Sequence, residues 1–407
     1  MYTELAVRNS ADADVSAVPV MAAAPVMLAE GAPRRAPVRP IELRIDGFDE
    51  KFDFDTLFYD TFFDQGKQRV IAVGPPLLNL HAQMLRMRAT ARPSGVNCSF
   101  VIHELDRCAR VEFAVPSGTV SLELTGDLGG HVVAPRANCS AQFRGRRVIF
   151  TLSKNNRLQW IKDWIRFNRD AHGADAVLIY DNASTRYGVD ELAAAVAEVS
   201  GITAALVVVW PFKYGPQGLN GPGLWDSDFC QLGAQEHARR CFLGDARSVM
   251  LSDIDELVVS TEGVSVFEAA ERAPFGILRY RGAWMPGIVG ITPTDTDAAP
   301  VRHRDFIHVR EPQRKWRWGW LPDYTDFCAS KWCIAPSRCP DVSQWGVHGV
   351  KHWIAALPPT SRFSYRHFRE ITDSWKYDRS MRDVFDASRH ARDEALIASF
   401  AKVDWDS

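Results

Sequence analysis

Residues 248–259 read SVMLSDIDELVV, and the fold turns on how this stretch is interpreted. An apolar run, Val249, Met250 and Leu251, ends abruptly in three carboxylates, Asp253, Asp255 and Glu256. Strand side chains alternate faces with period two, so a strand running through the segment points Asp253 and Asp255 the same way and Ile254 into the fold. Two carboxylates at a buried strand end repel one another and lose hydration unless something positive sits between them. A hard divalent cation, which takes oxygen ligands, is the simplest compensator. The competing interpretation makes the acidic residues an N-cap or a turn for the next helix.

Outward from that stretch, strands and helices alternate from Gly145 onward. RRVIFTLSKNN is a strand ending in polar residues. Residues 157–172 form a helix, with Trp160, Ile161, Trp164, Ile165 and Asn168 at helical spacing and Gly173 closing it. AVLIY at 176–180 is a second strand running into Asp181-Asn182-Ala183-Ser184, followed by a helix over 188–200, a strand over 203–210 and a helix over 226–243. Strands joined by helices of this length make a mostly parallel sheet with right-handed crossovers. Ligands of such sheets bind beyond the carboxyl ends of the strands. Lys154-Asn155-Asn156, Asp181-Asn182 and Asp253/Asp255 all fall on that edge.

Residues 41–143 carry short alternating segments (IELRIDGF, RVIAVG, CSFVIHEL, ARVEFAV, TVSLELTG) punctuated by turn residues, the pattern of a small antiparallel β unit. Residues 1–40 are rich in Ala, Pro and Val and end in APRRAPVRP, which reads as a disordered tail whose arginines could touch a membrane or partner. The expected organisation is α/β: a tail over 1–40, a β-rich accessory domain over 41–143 and a domain with a Rossmann-like sheet and flanking helices over 144–407.

The bulk numbers exclude several classes. A chain of 407 residues with net charge -2 gives no reason to expect a nucleic-acid partner. No run reaches the roughly 20 apolar residues that cross a bilayer, and the N-terminus carries Glu4 and Asp12 rather than a basic leader, so the reading is cytoplasmic. The eight cysteines form no CxxC pair, and the Cys328, Cys333 and Cys339 spacing fits no usual zinc arrangement, which leaves buried free thiols.

Four segments taken in order resemble a known group: LSKNNRLQWIKDWIRFNRDAHGADAVLIYDNAST, QEHARRC, VMLSDIDELVV and RHFREITDSWKYDR. They are similar to nucleotide-sugar-dependent glycosyltransferases of the GT-A fold, most of all to family 92 and the related family 2-like bacterial enzymes of polysaccharide synthesis. The resemblance covers roughly residues 145–379 and leaves the 41–143 unit untouched. It implies a nucleotide-sugar donor, with UDP the commonest carrier, a glycan or other hydroxyl acceptor, and Mn²⁺ or Mg²⁺. On this resemblance Asn155 and Asn156 lie near the nucleotide, and Asp181, beside Asn182, contacts base or ribose. Asp253 and Asp255 hold the cation against the diphosphate, and His367 completes the metal or phosphate site, with His348 a competing ligand. Lys376 and Arg369 meet phosphate. The second Asn stands where many relatives have Glu.

Beside the resemblance, Lys331 is a basic residue that could reach phosphate or sit solvated. Trp316, Trp318 and Trp320 alternate at period two, as an aromatic face for an acceptor sugar or as a core strand. An acceptor-activating base is required for inversion. The candidates are Asp323 and Asp326, with Glu256 and Glu236 as alternatives. Two rival functions stand: a carbohydrate-binding or scaffold protein on a degenerate transferase fold, and an aspartyl-phosphate phosphatase. The second lacks the Thr or Val of its nucleophile motif, having Leu257 there.

Overall fold

The alternation that starts at Arg147 builds the centre of the molecule, because each apolar strand can bury both faces only if the following helix folds back over the sheet. The computed structural model describes residues 17–64, 66, 68–216, 225–296, 299–317, 321–325, 327–351, 358–372 and 382–407. Arg147–Ser153 pairs in parallel with Ala176–Asp181, which pairs in parallel with Ala204–Val209, so that Ser153, Asp181 and Val209 end level. On its other side Arg147–Ser153 pairs in parallel with Ser248–Leu251. The helix Leu158–His172 covers one face with Trp160, Ile161, Trp164 and Ile165 wholly buried. Gly173 closes it at φ 73°, where its N–H and that of Ala174 reach the carbonyls of Arg169 and Asn168.

The complete sheet has nine strands in the order Val20–Ala22, Ala204–Val209, Ala176–Asp181, Arg147–Ser153, Ser248–Leu251, Phe327–Ile334, Ile277–Met285, Thr360–Phe368, Glu256–Ser260. Five of its eight pairings are parallel; the three antiparallel ones lie beyond Ser248–Leu251. Separate apolar clusters cover its two faces, one around Trp160 and Trp164, the other around Trp210, Phe242 and Trp332.

Strands between residues 60 and 133 form two four-stranded antiparallel sheets, with a core of their own around Leu57, Val70, Met84 and Val111. This unit packs on the helix Phe229–His237 through Tyr59, whose ring lies where a side chain on Gly233 would have to go. No helix among the described residues is long and apolar enough to cross a membrane. All eight cysteines are free thiols.

Three expectations need correction. The segment 248–259 is two strands, Ser248–Leu251 and Glu256–Ser260, that lie four places apart in the sheet, with three strands between them. Asp253 and Asp255 occupy the turn between them, so the period-two argument does not apply, and the turn leads into a strand rather than the helix of the competing interpretation. The stretch expected as a tail is folded from residue 17: Val20–Ala22 is an edge strand, Val26–Met27 pairs with Thr56–Phe58, and Arg35 is buried with hydrogen bonds to the carbonyls of Asp53, Thr56 and Pro76. Strands of two or three residues leave no periodicity to read, which is why composition alone suggested disorder. Residues 41–48, expected as a strand, hold a 3-10 turn at Ile41–Leu43 and the start of a short helix, Phe48–Lys51.

Candidate functional site

The strand order reverses between Arg147–Ser153 and Ser248–Leu251. Successive strands step away from Arg147–Ser153 on one side, toward Ala204–Val209, while Ser248–Leu251 lies on the other side. At such a switch point the two connecting loops part and leave a crevice beyond the carboxyl ends. One wall is Lys154-Asn155-Asn156; the other is Ser252-Asp253-Ile254-Asp255, which begins where the Ser252 N–H donates to the Phe150 carbonyl at 3.2 Å.

The first wall spends its polar groups on holding loops together. Asn155 sits at φ 57°, a left-handed conformation that Asn tolerates better than most residues. Its side-chain oxygen accepts from the N–H groups of Thr185 (2.7 Å) and Arg186 (3.2 Å), and its own N–H donates to Ser184 Oγ (2.8 Å). Asn156 is buried, donating to Ser153 Oγ and accepting from Thr372 Oγ1, each at 2.9 Å. Asp181 accepts from the Ser184 N–H at 3.1 Å and from its hydroxyl. Asn182 donates to the carbonyls of Trp210 and Phe212, each at 2.8 Å, fixing the exit of the third parallel strand. Three non-glycine residues with left-handed backbone, Asn155, Ala183 and Thr372, therefore meet at one edge. Strain of this kind concentrates at working sites.

The second wall is a charge cluster assembled from three strands. Lys331, on Phe327–Ile334, is buried with its Nζ 2.8 Å from Asp253 Oδ2 and 3.0 Å from Glu256 Oε2. Burial opposes an ammonium here, yet Asp253 and Glu256 outweigh it and hold Lys331 above the usual lysine range. Burial likewise pushes the Glu256 carboxyl up to about 7, against the pull of Lys331. His367 faces Glu256 across the antiparallel pairing and places Nε2 3.1 Å from Asp255 Oδ2. Behind it stands Trp284, in register with His367 on the neighbouring strand, its ring stacked on the imidazole with centroids 4.5 Å apart and planes 24° apart. The Arg369 guanidinium lies 5.0 Å from the centre of the same indole. Asp253 keeps 33% of its side chain exposed, whereas Asp255, Glu256 and Lys331 keep 5% or less. The cluster opens to solvent at Asp253.

By type, two carboxylates and an imidazole suit a divalent cation. Asp255 Oδ2 and His367 Nε2 stand 3.1 Å apart in a hydrogen bond that a bound cation would replace. Asp253 would be the third ligand, and its carboxylate is turned to Lys331 instead. Among the described residues no three His, Cys, Asp or Glu side chains enclose a single ion position.

Asp253, Asp255, His367, Lys331 and Arg369 are thus brought together, with the Asn155/Asn156 and Asp181/Asn182 loops on the opposite side. Lys331 is neither solvated nor directed at an open phosphate site; it is a buried counter-ion. Glu256 is committed to Lys331, and Glu236 is buried between Arg110 and Arg240, so neither is placed to meet an acceptor hydroxyl. His348 is exposed at the turn of the hairpin joining Gln344–Gly346 to Gly349–Lys351, whose flanks hold Asp106 of the β unit. Trp316 and Asp323 belong to another hairpin, Gln313–Arg317 with Leu321–Thr325, where Trp316 pairs with Pro322 and Asp323 with Lys315. The side chains of both, and Trp318, Trp320, Asp326 and Lys376 entirely, lie outside the described residues. Trp284 and Thr372 escaped the sequence reading because nothing local to them signals a partner more than 80 residues away.

No protein-family model matches the chain, and no curated protein matches it. Solved structures align with parts of it. The galactosyltransferase LgtC in complex with donor and acceptor sugar analogs is 17% identical over 33% of this chain and 46% of that one, with a TM-score of 0.24. An active-site mutant of LgtC is 14% identical over 47% of this chain and 58% of that one, again with a TM-score of 0.24. The match spans about half the length of those structures. Likeness at this level carries no argument about activity, which has to rest on the site.

Proposed function

We propose that the chain is a metal-dependent glycosyltransferase of GT-A-like fold that moves a sugar from a nucleotide-sugar donor to a hydroxyl acceptor. The observation that carries this reading is the position of Asp253 and Asp255: a carboxylate turn with His367 beside it, at the switch point of the parallel sheet. That is where a nucleotide would lie across the strand ends, with its diphosphate against the acidic wall and its nucleoside toward Asp181 and Asn155.

Asp253, Asp255 and His367 would hold the cation, Mn²⁺ or Mg²⁺, whose charge offsets that developing on the leaving nucleoside diphosphate. Arg369, held over Trp284, adds a fixed positive charge on the same side. Lys331 and Glu256 form the floor, keeping Asp253 from recoiling from Asp255. The Asn155–Thr185 and Asn156–Thr372 bonds keep the nucleoside side of the crevice in one shape without reorganisation when donor binds. The base that takes the acceptor proton is proposed to come from the Leu321–Thr325 strand, as Asp323, with Trp316, Trp318 and Trp320 stacking on the acceptor.

Thermal unfolding across a panel of nucleoside diphosphates and nucleotide sugars, with and without Mn²⁺, tests the reading. A ligand that binds only the native state raises the melting temperature by mass action. The expected result is a metal-dependent rise with one base. EDTA should abolish transfer and Mn²⁺ restore it; full turnover in chelator would remove the metal from the proposal. One observation favours a second reading. The Lys331 ammonium already neutralises Asp253 and Glu256, as it would in a carbohydrate-binding protein that had given up the chemistry. Glycan binding with no response to any nucleotide would establish that alternative.

A further inference from the structure

We infer that Trp284 is a positioning residue that sets the cation affinity of the site by clamping His367 and Arg369 in fixed relation to Asp255. The inference rests on the metal-site reading above and goes beyond the ligand set it names.

Three contacts carry it. The Trp284 indole stacks on the His367 imidazole at 4.5 Å and 24°. The imidazole in turn puts Nε2 3.1 Å from Asp255 Oδ2. The Arg369 guanidinium lies 5.0 Å from the indole centre. Backbone geometry enforces the arrangement, since Trp284 and His367 are parallel-strand partners and the Arg369 N–H donates to the Met285 carbonyl at 3.1 Å. An imidazole on a strand has several staggered orientations open to it. The stacked face favours the one observed, with its ring edge toward Asp255 and Glu256, whose Oε1 is 3.9 Å from Nδ1. Groups that orient a metal-ligating histidine change affinity about 10–100-fold when removed. Trp284 does this through its face rather than through a hydrogen bond. The same π-system draws in the Arg369 cation, so the indole also spaces the guanidinium from the ligand histidine. A phosphate chain spanning the two would then meet both at a set distance.

The test is isothermal titration of the full chain with Mn²⁺ alone, comparing wild type with Trp284→Phe, Trp284→Leu and His367→Ala. Expected are a loss of about 10-fold or more in Mn²⁺ affinity for Trp284→Leu, with Trp284→Phe, which keeps a stacking face, within about 3-fold of wild type. His367→Ala is the control for the metal-site reading. If it weakens Mn²⁺ binding while Trp284→Leu binds like wild type, the positioning role is overturned and the metal site stands. If His367→Ala binds like wild type, both fall together. Equal losses for the phenylalanine and leucine variants would also overturn the inference, because bulk and not the aromatic face would then be what matters. Should the leucine variant fail to fold, Trp284→Met fills similar space without a π-face and is read the same way.

Discussion

Two clusters in this protein use nearly the same residue types, an aspartate, a histidine and a basic group, to opposite ends. Where the β unit meets the large sheet, the Tyr180 hydroxyl is 2.7 Å from His237 Nδ1 and His237 Nε2 is 3.1 Å from Asp60, which Arg136 also holds at 2.7 Å. Asp60 and His237 are completely buried. At the strand ends, Asp253, Asp255, Glu256, Lys331 and His367 form the other cluster, and there one carboxylate looks out. In the first, Asp60 and His237 are wholly enclosed by protein, so their contacts join two parts of the chain. The open one presents, on the proposed reading, a carboxylate that a ligand would take over from Lys331. Residue type therefore says little about role; access for water and ligand separates a joint from a site.

That contrast can be broken most directly by Asp255→Ala, which should lower transfer by about 1,000-fold or more while the melting temperature moves by only a few degrees. Near-normal turnover would remove Asp255 from the chemistry. Asp60→Ala should do the reverse. Stripping His237 and Arg136 of their buried partner costs about 3 kcal/mol or more, read as a lowered urea midpoint, with activity per folded molecule unchanged. A loss of turnover at full stability would mean the sealed network reaches the site after all.

A second sealed imidazole sharpens the comparison. Burial pushes His172 down to about 4 from 6.5, its Nε2 lying 2.7 Å from the Val258 carbonyl while Nδ1 accepts from the Val266 N–H. The native state holds this ring neutral while the unfolded chain takes up a proton below about 6.5. Stability should therefore fall as pH drops from there through about 4, by roughly 2–3 kcal/mol. His172→Gln should flatten that slope in urea titrations at stepped pH; an unchanged slope would assign it elsewhere. The smallest effect belongs to Asn156→Ala. Losing the bonds to Ser153 and Thr372 should cost about 1–2 kcal/mol, with a donor KM raised more than kcat is lowered.

Much of the central sheet was legible because its signals are local. The helix over 157–172 announces itself by its apolar spacing and its closing Gly173, and AVLIY by length and composition. The site was legible only as residues at strand ends. That Asp253 and Asp255 occupy a turn was hidden by Glu256–Ser260, an equally apolar strand that directly follows. Lys331 and Trp284 were beyond reach for another reason: each becomes meaningful only when strands distant in sequence come into register. Residues 226–243, expected as one helix, are the helix Phe229–His237 followed by a π-turn at Ala238–Phe242, which no sequence breaker announces.

Val20–Ala22 adds only three residues to the large sheet, yet it lies along the outer side of Ala204–Val209. That strand, AALVVV, is apolar and β-branched, the kind of open border along which unrelated chains zip together. A three-residue strip laid in parallel register occupies its hydrogen-bonding groups from Val207 to Val209. While the protein is being synthesised, the strip emerges well before its partner and must wait for nearly two hundred further residues before that partner appears. In the finished molecule it acts as a selvedge, a woven border that keeps the fabric from catching on its neighbours.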